Sequence, residues 1–179
     1  VGKINGMAVG IAVHEFGFIG GSLGSAEGER ICRVIGRCMA DRLPLIVVCR
    51  SGGARMQESI LSLMQMAKVN ARLSQLSDAG LLFIAILTDP TTAGVAASYA
   101  SVGDINIAEP NALIGFTGSR ITGSSVGATE MEALRQAQRA EQVLEHGFVD
   151  MIVPRSEMKE TLSRLITLLA ENPNLPVKS

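Results

Sequence analysis

The sequence predicts an α/β protein, a largely parallel sheet with helices packed outside it. Two observations carry this. Short apolar runs of buried-strand type, such as Leu45-Ile46-Val47-Val48-Cys49, alternate four or more times with longer stretches of helical periodicity. Small-residue corners join them, and the composition suits tight turns and close packing, with 19 Gly and a hydrophobic content of 47% carried by Ala, Leu, Ile, Val and Met. No linker, low-complexity tract or internal repeat divides the chain, so residues 1–179 read as one domain.

The elements follow in order. Residues 7–16 are apolar apart from His14 and Glu15 and read as a strand. A glycine-rich turn over 16–25 leads into a helix over 26–42, with Ile31, Val34, Ile35, Cys38 and Met39 on its apolar face. Pro44 interrupts it before the strand at 45–49. Ser51-Gly52-Gly53-Ala54-Arg55 opens a long helix to about residue 77, where Met56, Ile60, Leu63, Met64, Ala67 and Ala71 recur at the spacing of a core-facing stripe. Those methionines read as core filling. The next strand is 81–87, followed by a loop over 88–95 that opens a small-residue helix over 96–101. Strands at 104–108 and 112–116 flank a turn at Glu109-Pro110-Asn111. Residues 117–127, polar and rich in Gly and Ser, read as a mobile loop. Thr129 and Glu132 have capping-box spacing for a helix that ends at Gly147. A strand at 148–153 and a terminal helix over 156–171 complete the chain.

Composition excludes several functions. Lys and Arg total 16 against 17 Asp and Glu, which leaves no electrostatic footprint for nucleic acid or an anionic membrane surface. Five Phe, one Tyr and no Trp argue against a base-stacking platform. Cys32, Cys38 and Cys49 form no CxxC pair and lie in predicted helix and strand, so they read as buried free thiols in a reducing compartment. No apolar run approaches the ~20 residues of a membrane span, and the first residues lack a signal-peptide pattern. The expected location is the cytoplasm, or an organelle matrix after import.

Two loops share one design. Ser51-Gly52-Gly53-Ala54 and Thr91-Thr92-Ala93-Gly94 each follow a predicted strand, hold small residues and open a predicted helix. Amides at a helix start lack intrahelical acceptors, and the helix dipole adds positive potential there. If both loops converge at the C-terminal edge of a sheet, they make an oxyanion hole that holds a thioester carbonyl as an enolate. The alternative is that small residues simply close βα corners, where glycine is common. The rest of the sequence suits chemistry that needs no protein acid, base or nucleophile: it holds two His, no GxSxG and no HExxH or similar metal spacing. No metal ligand set is expected.

At these residues the chain resembles a known family. Gly20-Gly21-Ser22-Leu23-Gly24-Ser25, Cys49-Arg50-Ser51-Gly52-Gly53-Ala54-Arg55-Met56-Gln57-Glu58 and Ser62-Leu63-Met64-Gln65-Met66-Ala67-Lys68 are similar to the carboxyltransferase β subunit of bacterial and plastid acetyl-CoA carboxylases. So are Leu87-Thr88-Asp89-Pro90-Thr91-Thr92, Gly103-Asp104, Ile107-Ala108-Glu109-Pro110 and Leu144-Glu145-His146-Gly147-Phe148-Val149-Asp150. The similarity runs in order over nearly the whole chain. It implies a crotonase (ClpP/crotonase-like) fold of repeated ββα units. It also implies a β subunit that binds acetyl-CoA, in a hetero- or homo-oligomer with an α-type subunit that contributes the site for carboxybiotin on a biotin carrier protein. Carboxybiotin releases carbon dioxide, the ureido group takes a proton from the acyl methyl group, and the enolate attacks the carbon dioxide to give malonyl-CoA for fatty acid biosynthesis. No covalently bound cofactor is expected, and the location is cytoplasm or plastid stroma. The family's backbone donors correspond to Gly52, Gly53, Ala93 and Gly94; the residues expected to contact the substrate in this chain are Gly20, Gly21, Ser22, Arg50, Arg55, Phe116 and Arg120. Arg55 could support a phosphate or carboxylate, or form a surface salt bridge.

The chain also departs from the pattern. The family's N-terminal zinc ribbon has no counterpart here, and the sequence starts at or just before the catalytic core. Ala93 replaces a glycine, and its donor survives only if that position is ordinary helical or extended backbone. His14-Glu15-Phe16 stands where Met-Asp-Phe is usual, and His14 reads as a satisfied structural residue. Arg50 replaces a small residue, which places a permanent charge beside the donor loop. A family Arg-Val-Ile-Glu-Gln-Thr segment is missing after Gly118-Ser119-Arg120. That last difference motivates an alternative, a biotin-independent decarboxylase or hydratase of an acyl thioester. A third reading is a degenerate subunit kept for assembly.

Overall fold

A computed structural model describes residues 1–116 and 128–170. Its strands are β1 (Gly2–Ile4), β2 (Met7–Val13), β3 (Leu45–Ser51), β4 (Phe83–Thr92), β5 (Ile105–Ala108), β6 (Ile114–Gly115) and β7 (Met151–Ile152). Its helices are α1 (Ser25–Asp41), α2 (Ile60–Asp78), α3 (Ala128–Ala137), α4 (Ala140–Glu145) and α5 (Arg155–Leu169). The strands run in the order β1-β2-β3-β4-β5-β7, with β6 paired to the far end of β4. Among these strands β1 and β2 pair antiparallel and the other pairings are parallel.

Alternation along the strands divides the core between the two faces. Leu45, Val47 and Cys49 of β3 point to the side covered by α1 and α2, with Ile35, Cys38, Val69 and Leu76. Ile46 of β3 and Ile84 and Ile86 of β4 point to the opposite side, with Met158, Leu162 and Ile166 of α5. This is the helix-covered parallel sheet that continuous apolar runs require. All three cysteines are free and buried, and burial pushes the Cys38 thiol up to about 11 and Cys49 to about 12.

Several family-like acidic residues serve the architecture. The Asp104 carboxylate accepts the Phe83 N–H at 2.7 Å, and Asp150 accepts the Asn106 N–H at 2.7 Å. Asp89 accepts the Leu113 N–H at 2.8 Å. Each carboxylate ties the end of one strand to its neighbour where the ladder runs out.

The structure revises several boundaries. The strand expected over 7–16 ends at Val13, and a hairpin partner precedes it through a turn at Asn5 and Gly6, both with positive φ. The loop expected from residue 88 is strand as far as Thr92, because Thr91 and Thr92 pair with β6 and Thr91 also pairs with Ser51. No α-helix forms over 96–101, only turns ending in a 3-10 turn at Tyr99–Ser101. Ser98 Oγ donates to Gly94 O and Ser101 Oγ to Ala96 O, both at 2.6 Å, occupying carbonyls that a helix would use. The single helix expected up to Gly147 is two, broken where Gln138 accepts the Ile114 N–H at 2.8 Å and Arg139 bridges Leu113. That first helix begins at Ala128, so Thr129 lies inside it rather than at its cap. The strand expected over 112–116 is reduced to β6 and that over 148–153 to β7. The loop expected over 117–127, with Arg120, lies outside the described residues.

The largest revision concerns α2. Its buried residues are Ser62, Gln65, Val69, Leu73 and Leu76, whereas Met56 (89% exposed), Ile60 (65%), Leu63 and Met64 face solvent. The apolar stripe over its first half is therefore not core filling. The neighbour of Gln65 there is Gly28 of α1, whose missing side chain leaves room for the Gln65 stem. A Cβ on Gly28 would sit 2.6 Å from Gln65 Oε1 and 2.7 Å from its Cβ. Gly28→Ala must therefore push α1 and α2 apart, and is expected to cost about 1–3 kcal/mol. Thermal unfolding monitored by circular dichroism should show a fall in midpoint of several degrees.

Candidate functional site

Three connections leave the carboxyl ends of neighbouring parallel strands, β2, β3 and β4, and meet at one edge of the sheet. Each connection is bonded to the next. Leu23 N–H donates to Gly53 O at 2.9 Å and Arg55 N–H to Leu23 O at 2.8 Å, stitching the glycine-rich turn to the 51–55 loop. Thr88 and Thr91 hydroxyls donate to Cys49 O at 2.9 and 3.0 Å, and the Thr92 hydroxyl donates to Ser51 O at 3.3 Å. Close backbone approach does the rest. Gly21 has φ 63°, and a Cβ there would lie 2.1 Å from Arg50 O. Gly53 has φ 113°, and its Cβ would lie 2.7 Å from the Ala93 Cβ. The two loops therefore abut.

The expected donors are not equivalent. Gly52 N–H donates to Gly20 O at 3.1 Å, Gly53 N–H to Ser51 Oγ at 3.0 Å, and Ala93 N–H to Gly115 O at 2.8 Å. Ala93 holds φ 55°, so the family glycine position is left-handed here and an alanine occupies it under strain. Gly94 is different: among the described residues its N–H meets no acceptor, and neither does that of Ala54. A Cβ on Gly94 would lie 3.4 Å from Ala54 N, so these two amides share one corner. Nothing in the sequence distinguished Ala54 from its glycine neighbours.

Neither loop runs directly into an α-helix, contrary to the sequence-based expectation. After Ala54 comes a 3-10 turn at Met56–Glu58, and α2 starts only at Ile60; after Gly94 come turns. What the corner offers is amide dipoles, not a helix macrodipole.

Arg55 is not a free cation. It is buried, and its guanidinium donates to Ser22 Oγ (3.1 Å), Ser22 O (2.9 Å), Glu27 Oε1 (2.7 Å) and Glu58 Oε1 (2.9 Å). Glu58 also accepts from the Ser25 N–H and hydroxyl at 2.7 Å each, and Glu27 accepts the Gly24 N–H at 3.1 Å. The bonds that Glu27 and Glu58 accept lower both carboxyl pKa values, although for Glu27 partial burial opposes this. Arg55 thus clamps the glycine-rich turn to the donor loop. Arg50, by contrast, is exposed, with its Nε on Asp89 O at 2.8 Å and its guanidinium 5.1 Å from the Phe16 ring. Phe116 is 72% exposed at the end of the β6 segment. Gly20, Gly21 and Ser22 form the turn beside a cavity of about 470 Å³, lined by Val13, His14, Phe18, Gly21, Ser22 and Ile31 among others.

His14 borders that cavity and is held on both ring nitrogens, by the Arg50 N–H (3.3 Å) and Tyr99 Oη (2.9 Å). Burial drives its pKa down to about 4, against the opposing pull of Glu27. A histidine whose folded pKa lies below its free value of ~6.5 favours the neutral form, so its contribution is full above that pH and is lost as pH falls toward 4. Denaturant titrations across that window should show a loss of stability that His14→Asn lacks. Arg55→Ala leaves Glu27 and Glu58 facing each other without a counter-charge, and should lower the thermal midpoint by several degrees at neutral pH. That deficit should shrink below pH ~4.5, where the carboxylates protonate.

No helix among the described residues is long and apolar enough to cross a membrane. Known proteins resemble this chain in sequence and in fold. The family model described as the carboxyl transferase domain matches residues 1–178. The acetyl-coenzyme A carboxylase carboxyl transferase subunit beta of Citrifermentans bemidjiense is 57% identical over 169 residues, 94% of this chain and 58% of that protein. The subunit of the same name from Nostoc sp. is 51% identical over 177 residues, 98% of this chain and 55% of that protein. The chain thus spans a little over half the length of these curated relatives. Among solved structures, transcarboxylase 12S with hydrolysed methylmalonyl-coenzyme A superposes with a TM-score of 0.82 at 18% identity, over 99% of this chain and 36% of that one. A Pseudomonas malonate decarboxylase hetero-tetramer gives 0.81 at 20% identity, over 95% and 66%. At such identities the likeness is one of fold: the α/β crotonase-like fold.

Proposed function

The chain belongs to the carboxyl transferase domain family, and from that premise we propose that it is the β-type carboxyltransferase component of a biotin-dependent acetyl-CoA carboxylase. The reaction is transfer of a carboxyl group from carboxybiotin to the methyl carbon of acetyl-CoA, giving malonyl-CoA. The observation that carries the reading is the pair of unbonded amides, Ala54 and Gly94, at the carboxyl edge of β3 and β4. They lie in a chain 50–57% identical to curated subunits of that name.

The mechanism asks little of side chains. Loss of a proton from the thioester methyl group moves negative charge onto the acyl oxygen. Two fixed N–H donors stabilise that charge without reorganising, the more so where water is excluded. Gly52, Gly53 and Ala93 shape the corner through their small size and their bonds to Gly20 O, Ser51 Oγ and Gly115 O. The cavity beside Gly20, Gly21 and Ser22 has the volume of an ordinary ligand site and would take part of the coenzyme A chain. Arg50, exposed beside it, is the cation available to a phosphate, and Phe116 and Arg120 complete the thioester contacts.

The partners proposed are an α-type carboxyltransferase subunit and a biotin carrier protein, with the cytoplasm or plastid stroma as location. The exposed apolar side chains at the start of α2 support a multi-subunit assembly. The chain is expected to be inactive alone. With an α-type subunit it should exchange carboxylate between malonyl-CoA and biotin, and absence of exchange in the reconstituted pair would refute the reading. Gly94→Pro removes one donor and should lower kcat by roughly a hundredfold or more while leaving the KM for the thioester little changed.

A further inference from the structure

His14 stands at the exit of β2 and reaches both loops of the corner. Its Nδ1 accepts the N–H of Arg50, the residue preceding the 51–54 loop, at 3.3 Å. Its Nε2 lies 2.9 Å from Oη of Tyr99, which closes the run of turns that begins at Ala93. The two rings meet edge to face with centroids 5.9 Å apart. A backbone N–H can only donate, so Nδ1 carries no proton, and the neutral ring donates from Nε2 to the Tyr99 oxygen. Tyr99 is fully buried, which fixes the far end of this link. The near end is fixed by β3, whose residues His14 follows in register: the His14 N–H itself donates to Val48 O at 3.1 Å. One side chain therefore spans from β2 to the backbone of one donor loop and to the anchor of the other.

We propose that His14 is a positioning residue, a neutral imidazole strut that sets the separation of the 50–54 and 93–98 segments and thereby of the Ala54 and Gly94 amides. The proposal rests on the carboxyltransferase reading for its catalytic consequence, but not for its geometry. The groups around the ring fit the neutral state. Glu27 of α1 favours a charge on it, while burial and the Arg50 N–H aimed at Nδ1 disfavour one. Arg30 on α1 lines the same cavity as the ring, with Glu15, while the Arg50 guanidinium is directed to Asp89 O and the Phe16 ring, and Cys49 lies near Tyr99. A second proton would have to sit on Nδ1, where it would meet the Arg50 N–H head-on.

The test compares variants in two readouts. Amide resonances of Arg50, Ala54 and Gly94 in the nitrogen-15 spectrum of the full chain report the corner directly and need no turnover. Carboxylate exchange with the α-type subunit reports catalysis. His14→Leu should shift the Ala54 and Gly94 amides and lower kcat by about tenfold or more, since small misplacement of reacting groups is costly, with the thioester KM within about twofold. His14→Asn, whose Oδ1 can accept the Arg50 N–H, should restore the Arg50 amide and recover most of the rate. Tyr99→Phe should move the Arg50 amide across the intact imidazole, and it reads the same coupling if His14→Leu fails to fold. The proposal is overturned if the Ala54 and Gly94 amides stay in place in His14→Leu or Arg50 stays in place in Tyr99→Phe. It is also overturned if His14→Asn is as slow as His14→Leu. Shifted amides in a chain that shows no exchange would uphold the strut and reject the carboxyltransferase reading, so the two failures are separable.

Discussion

Main chain packed against main chain, with no side chain between, is the constraint on which the rest depends. Ser51 and Thr91 sit side by side because β3 and β4 are in parallel register, and that register carries the next residues of both strands to the same edge. Whether they then form a site is decided by clearance. With a Cβ on Gly21 or Gly53, the turn could not lie on Arg50 O, nor the 51–54 loop on Ala93. Hydroxyls of Thr88, Thr91 and Thr92 add donors to the carbonyls of Cys49 and Ser51, on either side of the shift in register between β3 and β4. Donors beyond that point are therefore held by strands, not by a loose loop, which is the preorganisation that charge stabilisation demands.

The electrostatics of the corner follow from the same economy. Its strongest ion pairs, Arg55 with Glu27 and Glu58, neutralise one another behind the glycine-rich turn and aim nothing at the amides. His14 is held neutral by burial. On the proposed reading, a fixed charge beside the acyl oxygen would stabilise the bound thioester and its enolate alike and so raise affinity more than rate; neutral dipoles respond chiefly to charge as it develops. A corner built from backbone amides answers that requirement without calling on catalytic side chains.

How much of this was legible from residues alone depended on range. Continuous apolar runs located β3 and β4 but not their ends, which lie at Ser51 and Thr92, and the face of α1 with Ile31, Ile35 and Cys38 is buried as its periodicity implies. The glycine and threonine corners were visible as corners. Their bonding was not, because Gly52, Gly53 and Ala93 find acceptors in Gly20, Ser51 and Gly115, and only the folded topology tells which amide is left over. The 96–101 stretch failed for a local reason, two serines that compete for helix carbonyls. Gln138 and Arg139 failed for a tertiary one, since strand pairing with Leu113 and Ile114 overrides helical propensity. Nothing in one dimension joins His14 to Tyr99 across a separation of 85 residues.

The start of α2 shows most clearly what periodicity measures. Ile60, Leu63 and Met64, with Met56 just before the helix, have the spacing of a face that leaves water, yet the buried residues at this level are Ser62 and Gln65, the latter against α1. An amphipathic pattern says that one side of a helix prefers an apolar environment; it does not say whether the same chain supplies it. Gly28 permits α1 to pack against the Gln65 stem, so the inner face needs no large apolar residue, and Gln65 meets its amide donor requirement on Ser62 O. The outer stripe then has no internal function. Large apolar side chains kept contiguous in water favour association, because each square ångström they lose to a partner surface is worth about 25 cal/mol. On the proposed reading, the same helix that backs the donor loop also carries this stripe. A partner seated there would bear on the backbone that positions Ala54, so assembly and site geometry are linked through one element.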